Sequence, residues 1–238
     1  MNGSRSGERD GRVHGRAAPL IMEGPVTSLL VRIRLVLASA SPARQKMLAA
    51  AGILAEVMVS GVDESSVESP NPETLSLTLA RMKAHAVVGR MRGEAHTLVL
   101  GCDSVMALDG EILGKPTDPD DAAARWQRMR GRCGVLHTGH CLINVETGKA
   151  AEGVAGTAVE FAEVTDEEIA AYVATGEPLR VAGAFTIDGL GGPFVERIEG
   201  DHGNVIGLSL PLLRHLLQEL GIGITDLWNA TPHNATAH

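Results

Sequence analysis

The stretch Leu35 to Gly52, LVLASASPARQKMLAAAG, constrains the fold more than any other part of the chain. Leu35, Val36, Leu37 and Ala38 form an apolar run of strand length. Ser41 is suited to N-cap a following helix, Pro42 to its first position, and Gly52 to closing it as a C-cap. A strand feeding straight into a helix leaves free backbone N–H groups at the strand's carboxyl end, which is a ready anion site. Ser39, Ser41 and Arg44 add two hydroxyls and a guanidinium there. The turn has no glycine and no GK[ST], so it is not a Walker loop. Capping alone also accounts for Ser-Pro in such a turn, and the rest of the chain must decide.

The chain has 238 residues, enough for one α/β domain with an ample core. Its formal charge of −8 argues against a protein that coats DNA or RNA, but leaves room for a small anion held by a few converging cations. Cys102, Cys133 and Cys141 are odd in number and lack C-x-x-C spacing, which implies neither a disulfide framework nor a zinc site and points to a reducing, cytoplasmic setting. Residues 1–33 are rich in Gly, Arg and Ser without periodicity and read as a disordered extension, with Met22 an alternative start. No stretch has the length of a membrane-spanning helix. Residues 34–225 are expected to form the domain, and 226–238 a flexible tail.

Along the chain, Ala55–Ser60 reads as a second strand, and Asp63-Glu64 follow it as paired carboxylates. Asn71-Pro72 open a long helix reaching about Gly93, with Leu75, Leu79, Met82 and Ala86 as its buried face. Lys83 then falls at the edge of that face, where a lysine ordinarily snorkels to water. Thr97–Cys102 is a near-continuous apolar run, as in a strand covered on both sides, and ends at Asp103-Ser104, where open α/β sheets bind ligands. Asp109-Gly110 signals a hairpin whose second arm leads to Lys115 between Gly114 and Pro116. Asp118-Pro119 start a helix ending near Gly131, with Trp126 and Met129 inward.

Cys133–Val145 and Ala150–Val164 read as long strands. His137 and His140 fall on opposite faces of the first, which argues against a shared metal. Thr165 to Glu168 is a capping box for a short helix ending at Gly176. Residues 182–211 are dense in glycine and read as a loop wrapping a ligand, with Asp188 exposed on it. Leu210–Leu220 forms the last helix. A serine hydrolase is excluded by the lack of a G-x-S-x-G elbow.

Four pieces, SASPARQKML, GVDE, GCDSV…LDGEILGKPTD and TGEP…AGAF.IDGLGG…IEG…NVIGLSLP, together resemble the Maf family of septum-formation-related nucleoside triphosphate pyrophosphatases. The resemblance implies an α/β fold with a mixed twisted sheet flanked by helices and two lobes around a deep nucleotide cleft, as in inosine triphosphatases. It implies hydrolysis of a nucleoside triphosphate to the monophosphate and pyrophosphate, assisted by Mg²⁺ or Mn²⁺. Asp103 matches the family's catalytic carboxylate and Glu64 a second one. Arg44, Lys83 and Lys115 match its phosphate-binding cations, and Ser39 and Ser41 the serines of the first turn. Asp103 is then base or metal-bound activator, and Glu64 a metal ligand.

Members similar to dTTP/UTP pyrophosphatases carry two arginines after Ser-Pro, a Thr after the catalytic Asp and a Gln in the Gly-rich loop. Here Ala43, Ser104 and Asp188 stand at those places. A carboxylate at Asp188 suits a base edge that donates hydrogen bonds, such as that of guanine. The base therefore stays open among pyrimidine, purine and modified forms. The implied partner is the nucleotide, not a nucleic acid polymer or a membrane, with a homodimer left open. A non-catalytic nucleotide-binding regulator of division is the alternative, which two carboxylates beside a triphosphate disfavour.

Overall fold

The computed structural model describes residues 32–91 and 93–228. The first 31 residues of the expected extension, and the expected tail from residue 229 on, lie outside the described residues.

The opening unit forms as its sequence dictates. β1 (Arg34–Leu37) is buried at its three apolar residues and turns into α1 (Pro42–Ala50), whose N-cap Ser41 accepts the Arg44 backbone N–H. Gly52 follows α1 at φ 78°, the left-handed conformation that ends a helix at lowest cost. The chain returns as β2 (Ala55–Val57), parallel to β1 and shorter than the expected run to Ser60. α2 (Pro72–Val88) then crosses to the other side of β1, ending before the expected Gly93, and feeds β3 (Thr97–Leu108) parallel to β1.

β3 differs from expectation. The apolar run does not stop at Cys102, because β3 continues as an antiparallel partner of both β4 (Glu111–Leu113) and β5 (Cys133–Asn144). Asp103 is thus a mid-strand residue. α3 (Pro119–Met129) connects β4 to β5, and β6 (Ala150–Phe161) pairs antiparallel with β5. After α4 (Asp166–Ala174), with its capping box in place, the glycine-rich region is more than a loop. It contains β7 (Val195–Glu199), an edge strand on β6, and the one-turn α5 (His202–Ile206) before α6 (Leu210–Glu219). The strand order is β2-β1-β3-β5-β6-β7, with β4 beside β3. Residues 226–228 fall in the expected tail, yet Leu227 is buried and Trp228 bridges to Ile53.

The core follows the sheet's alternation. Leu35, Leu37, Leu98, Leu100 and Cys102 point to the face covered by α1 and α6, where they meet Leu48, Leu213, Leu216 and Leu217. Val36, Val99, Cys141 and Ile143 point to the opposite face, against Ala80, Ala84 and Val87 of α2. A third cluster around Trp126 gathers Met106, Phe161, Tyr172 and Phe185 at the far end of β3. Trp126 meets Phe161, Tyr172 and Phe194 edge-on at 5.5–5.6 Å between ring centroids, the geometry aromatic pairs favour. Asp103 and Ser104 lie on β3 between the first two clusters and the third.

α2 packs one step round from its expected face. Its buried residues are Ser76, Leu79, Ala80, Lys83, Ala84 and Val87, so Lys83 points into the molecule instead of snorkelling at an edge. The cause is close approach. A Cβ on Gly101 would lie 2.2 Å from the Ala80 carbonyl oxygen, and one on Gly139 would lie 2.3 Å from that of Ser76. Only glycines on β3 and β5, facing small residues on α2, let the helix backbone settle this near the sheet.

Candidate active site

α1 and α2 leave opposite faces of β1, so the crevice at the carboxyl ends of β1 and β3 is a switch point of the kind where open α/β sheets bind ligands. The Ala38 N–H makes the last bond from this segment to β3, at 2.8 Å to the Leu100 carbonyl. β4 begins to pair only at Met106. Between these points one edge of β3 has no strand neighbour, and Asp103 and Ser104 sit in that gap. As successive strand residues they face opposite sides.

On the α2 side, the Lys83 ammonium touches the Asp103 carboxylate and lies 2.7 Å from Glu64 Oε1. Lys83 and Asp103 are both nearly buried, at 7 % and 6 % exposure, whereas Glu64 stands at the rim on a turn N-capped by Asp63. Burial pushes the Asp103 carboxyl up, Lys83 and Arg44 pull it back, and the net displacement is upward from the ordinary carboxylate value. Burial also works to raise Glu64. There, however, the Lys83 hydrogen bond and the charges of Lys83, Lys115 and Arg44 prevail and hold it below the ordinary value. The two carboxylates are thus pushed apart in acidity, a pattern that separates a proton acceptor from a permanent anion.

On the α1 side, Arg44 is 8 % exposed and held at three points. Its Nε–H donates to the Gly207 carbonyl at 2.7 Å, Nη1 to Ser39 Oγ at 3.1 Å, and Nη2 to Ser104 Oγ at 3.0 Å. Ser39 Oγ also accepts the Ser41 N–H, at 3.2 Å. Lys115 is exposed on the loop after β4, and Gly183 holds that loop by donating to the Gly114 carbonyl at 3.1 Å. Arg44, Lys83 and Lys115 therefore supply three cations to one crevice, and all three charges act on Glu64.

A Maf-like protein family model matches residues 34–220. The chain belongs to the Maf family. Relatives named nucleoside triphosphate pyrophosphatase include one from Salinispora tropica, 66 % identical over 199 residues, covering 83 % of this chain and 88 % of the relative. One from Streptomyces coelicolor is 59 % identical over 198 residues (83 % and 95 % coverage), and one from Nostoc punctiforme 52 % over 193 residues (81 % and 96 %).

Within this Maf fold the expected site residues do not all converge equally. Ser39, Arg44, Glu64, Lys83, Asp103 and Ser104 come together around the gap in β3. Ser41 serves as the α1 cap. Asp188 is exposed and accepts a hydrogen bond from the Thr186 hydroxyl. Its loop is tied down by Glu177, whose carboxylate accepts from the Tyr172 hydroxyl at 2.8 Å and from the Leu190 and Gly191 N–H groups at 3.1 and 3.0 Å. Trp126 Nε1 fixes the same segment by donating to the Ala184 carbonyl at 2.8 Å, with Ala184 at φ 58°.

Sequence reasoning missed several supports. Arg90 donates to the Val59 carbonyl at 2.7 Å and anchors the segment leading to Glu64. His137 and His140 do face opposite ways, the first toward Glu73 of α2 and the second toward Ser209. His140 is fully buried. Its Nε2 accepts the Ser209 N–H at 3.0 Å, so Nδ1 carries the hydrogen that meets the Thr138 carbonyl at 3.0 Å. Burial lowers its pKa to about 4.

Among the described residues, no three or more His, Cys, Asp and Glu side chains gather as a metal site. Two hard carboxylates do converge at Lys83, and such a pair suits a divalent cation that takes its remaining ligands from water and substrate phosphate. No helix among the described residues is long and apolar enough to cross a membrane.

Proposed function

We infer that this chain is a nucleoside triphosphate pyrophosphatase, splitting a nucleoside triphosphate into the monophosphate and pyrophosphate. Family membership and the names of its relatives support the reaction class. The observation that carries the site assignment is Asp103, a buried carboxylate of raised proton affinity held by Lys83 in the unpaired gap of β3.

In this reading Arg44 and Lys115 hold the triphosphate, with the Ser39 and Ser41 hydroxyls at the first turn. Lys83 fixes Asp103 and Glu64 relative to one another. Asp103 accepts the proton of the water whose oxygen bonds to the α-phosphorus. The bond from that phosphorus to the bridging oxygen breaks, pyrophosphate departs with the electron pair, and Asp103 returns its proton to solvent. General-base assistance of this kind is worth about 10²–10⁴-fold. Glu64 and Asp103 are the residues that would hold Mg²⁺ or Mn²⁺. Such an ion, when bound, neutralises the triphosphate and polarises its oxygens. Asp188, on its braced loop, favours a base whose edge donates hydrogen bonds.

Incubation with ATP, GTP, UTP, dTTP and 7-methyl-GTP, each with Mg²⁺ or Mn²⁺, tests the reading by ³¹P NMR of the products. The expected result is pyrophosphate and monophosphate from at least one of them. Orthophosphate with a nucleoside diphosphate, or binding without hydrolysis across the panel, contradicts it.

A further inference from the structure

Arg44 is fixed by more than its immediate neighbours. Ser104 Oγ, which accepts from Arg44 Nη2, lies 2.9 Å from Thr138 Oγ1 on the adjacent strand β5, where the two residues stand opposite each other. Thr138 Oγ1 in turn lies 3.3 Å from the Asn204 carbonyl. Two hydroxyl hydrogens have to be placed. Among the described residues only one direction satisfies both within the protein: Ser104 donates to Thr138, and Thr138 donates to the Asn204 carbonyl. The Ser104 oxygen then turns its lone pairs to Arg44.

The far end of this chain is itself anchored. The Asn204 amide nitrogen donates to the Leu136 carbonyl and to Thr157 Oγ1, each at 3.0 Å, and Thr157 donates to the Asp201 carbonyl at 3.0 Å. The α5 segment thus receives both ends of the arrangement, through the Asn204 carbonyl and through the Gly207 carbonyl that accepts from Arg44 Nε. Gly207 is at φ 118°, and a Cβ there would come within 3.4 Å of Arg44 Nε, so glycine keeps this seat open. Three of the five guanidinium N–H bonds are directed to the protein, leaving one on each terminal nitrogen for a ligand.

We propose that Thr138 is a positioning residue for the triphosphate: its buried hydroxyl takes the Ser104 hydrogen, aims the Ser104 oxygen at Arg44, and so sets the plane in which the guanidinium meets phosphate. The proposal rests on the reading that Arg44 binds substrate. Thr138 is 0 % exposed, and its hydroxyl meets Ser104 on one side and the Asn204 carbonyl on the other; the route to Arg44 is the one through Ser104. Without its hydroxyl, the Ser104 hydrogen has no protein acceptor and turns toward the ligand, where it competes with the guanidinium for a phosphate oxygen, and the Ser104 lone pairs are no longer aimed at Arg44. Arg44 retains Gly207 and Ser39 but loses the third point that fixes its plane. Binding of the triphosphate in ground and transition states alike then weakens, which raises KM and leaves kcat nearly unchanged.

The experiment is steady-state kinetics with the best nucleotide of the panel. Variants are Thr138→Val, Thr138→Ser, Ser104→Ala, the Ser104→Ala/Thr138→Val double and Arg44→Ala, each with a thermal melt. Thr138→Val is expected to raise KM about five- to tenfold, the loss of one hydrogen bond, with kcat held within about twofold. Thr138→Ser restores KM, and the double variant is expected to be no worse in KM than Ser104→Ala, the result that separates a route through Ser104 from one through the Asn204 carbonyl. Should Thr138→Val not fold, Thr138→Ala carries the same expectation. An unchanged KM in Thr138→Val, or KM effects of Thr138 and Ser104 that multiply in the double, overturns the positioning role. If Arg44→Ala leaves KM unaltered, the substrate role of Arg44 fails and the proposal with it. If Arg44→Ala raises KM while Thr138→Val does not, the positioning role alone fails.

Discussion

Lys83 holds two carboxylates that would otherwise repel one another, and it does so from a buried position. Removing it leaves Asp103 buried beside Glu64 with its nearest counter-charge gone, which favours the protonated acid further. The acid limb of kcat/KM follows the Asp103 carboxyl, which burial raises and neighbouring cations lower, as a divalent ion held there would too. Activity is lost as pH falls through that pKa, because the base must be ionised. At one fixed Mg²⁺ concentration the limb of Lys83→Met is expected at higher pH than that of the wild type, and a pH–rate profile of both proteins checks the order. An acid limb at the same pH in both would remove Asp103 from the role of base. The charged residues themselves were legible through their motifs. The place of Lys83 was not, because apolar periodicity on α2 marks Leu75 and Met82, whereas the tightest packing is made by Ala80 and Ala84, which carry almost no hydrophobic signal.

At the level of elements, α2 and β3 bring Lys83 and Asp103 together, and Gly101 sets the distance between them. Its replacement by alanine puts a Cβ 2.2 Å from one α2 backbone atom and 2.8 Å from another, which no side-chain rotation relieves. Gly101→Ala is expected to cost about 1–3 kcal/mol of stability and to lower kcat by moving Lys83 off Asp103. Chemical denaturation and kinetics on one preparation check both effects, and a stability within about 0.3 kcal/mol of wild type contradicts the packing account.

His140 links β5 to the start of α6, and its lowered pKa carries a sign. The unfolded chain takes the proton first, near the ordinary 6.5, while the folded state resists until about 4. The His140 contribution to stability is therefore complete above about pH 6.5 and is lost as pH falls toward 4, by up to about 3 kcal/mol. Unfolding free energies across that window should fall with acidity, less steeply in His140→Gln, and equal slopes contradict the assignment. The element order through β6 was readable from turn and cap residues. β3 was cut short because Asp103-Ser104 reads as a strand end when its second partner, β4, is treated as a separate hairpin. β7 was hidden by Gly200 and the glycines before it, which mask a five-residue strand held by pairing with β6.

Across the whole molecule, the two faces of the sheet contribute different parts to one crevice: Lys83, Glu64 and Asp103 from the α2 side, Ser39, Arg44 and Ser104 from the α1 side. This division was not legible in the sequence, because it follows from residue parity along a strand whose full length was not apparent. The triphosphate carries more negative charge than three cations beside two carboxylates offset, so excess EDTA is expected to abolish turnover and added Mg²⁺ or Mn²⁺ to restore it. Full activity in the chelator would rule out a divalent ion at Glu64 and Asp103.

Asp103 is the proposed base of this crevice, and Asp103→Asn decides whether it is. The substitution keeps the size of the side chain and much of its hydrogen bonding while removing the charge. Pyrophosphate release should fall by about two orders of magnitude or more, with the thermal melt and nucleotide binding through Arg44 and Lys115 largely retained. A variant with a normal melt and near-normal turnover would remove Asp103 from that role and shift the search for the base to Glu64.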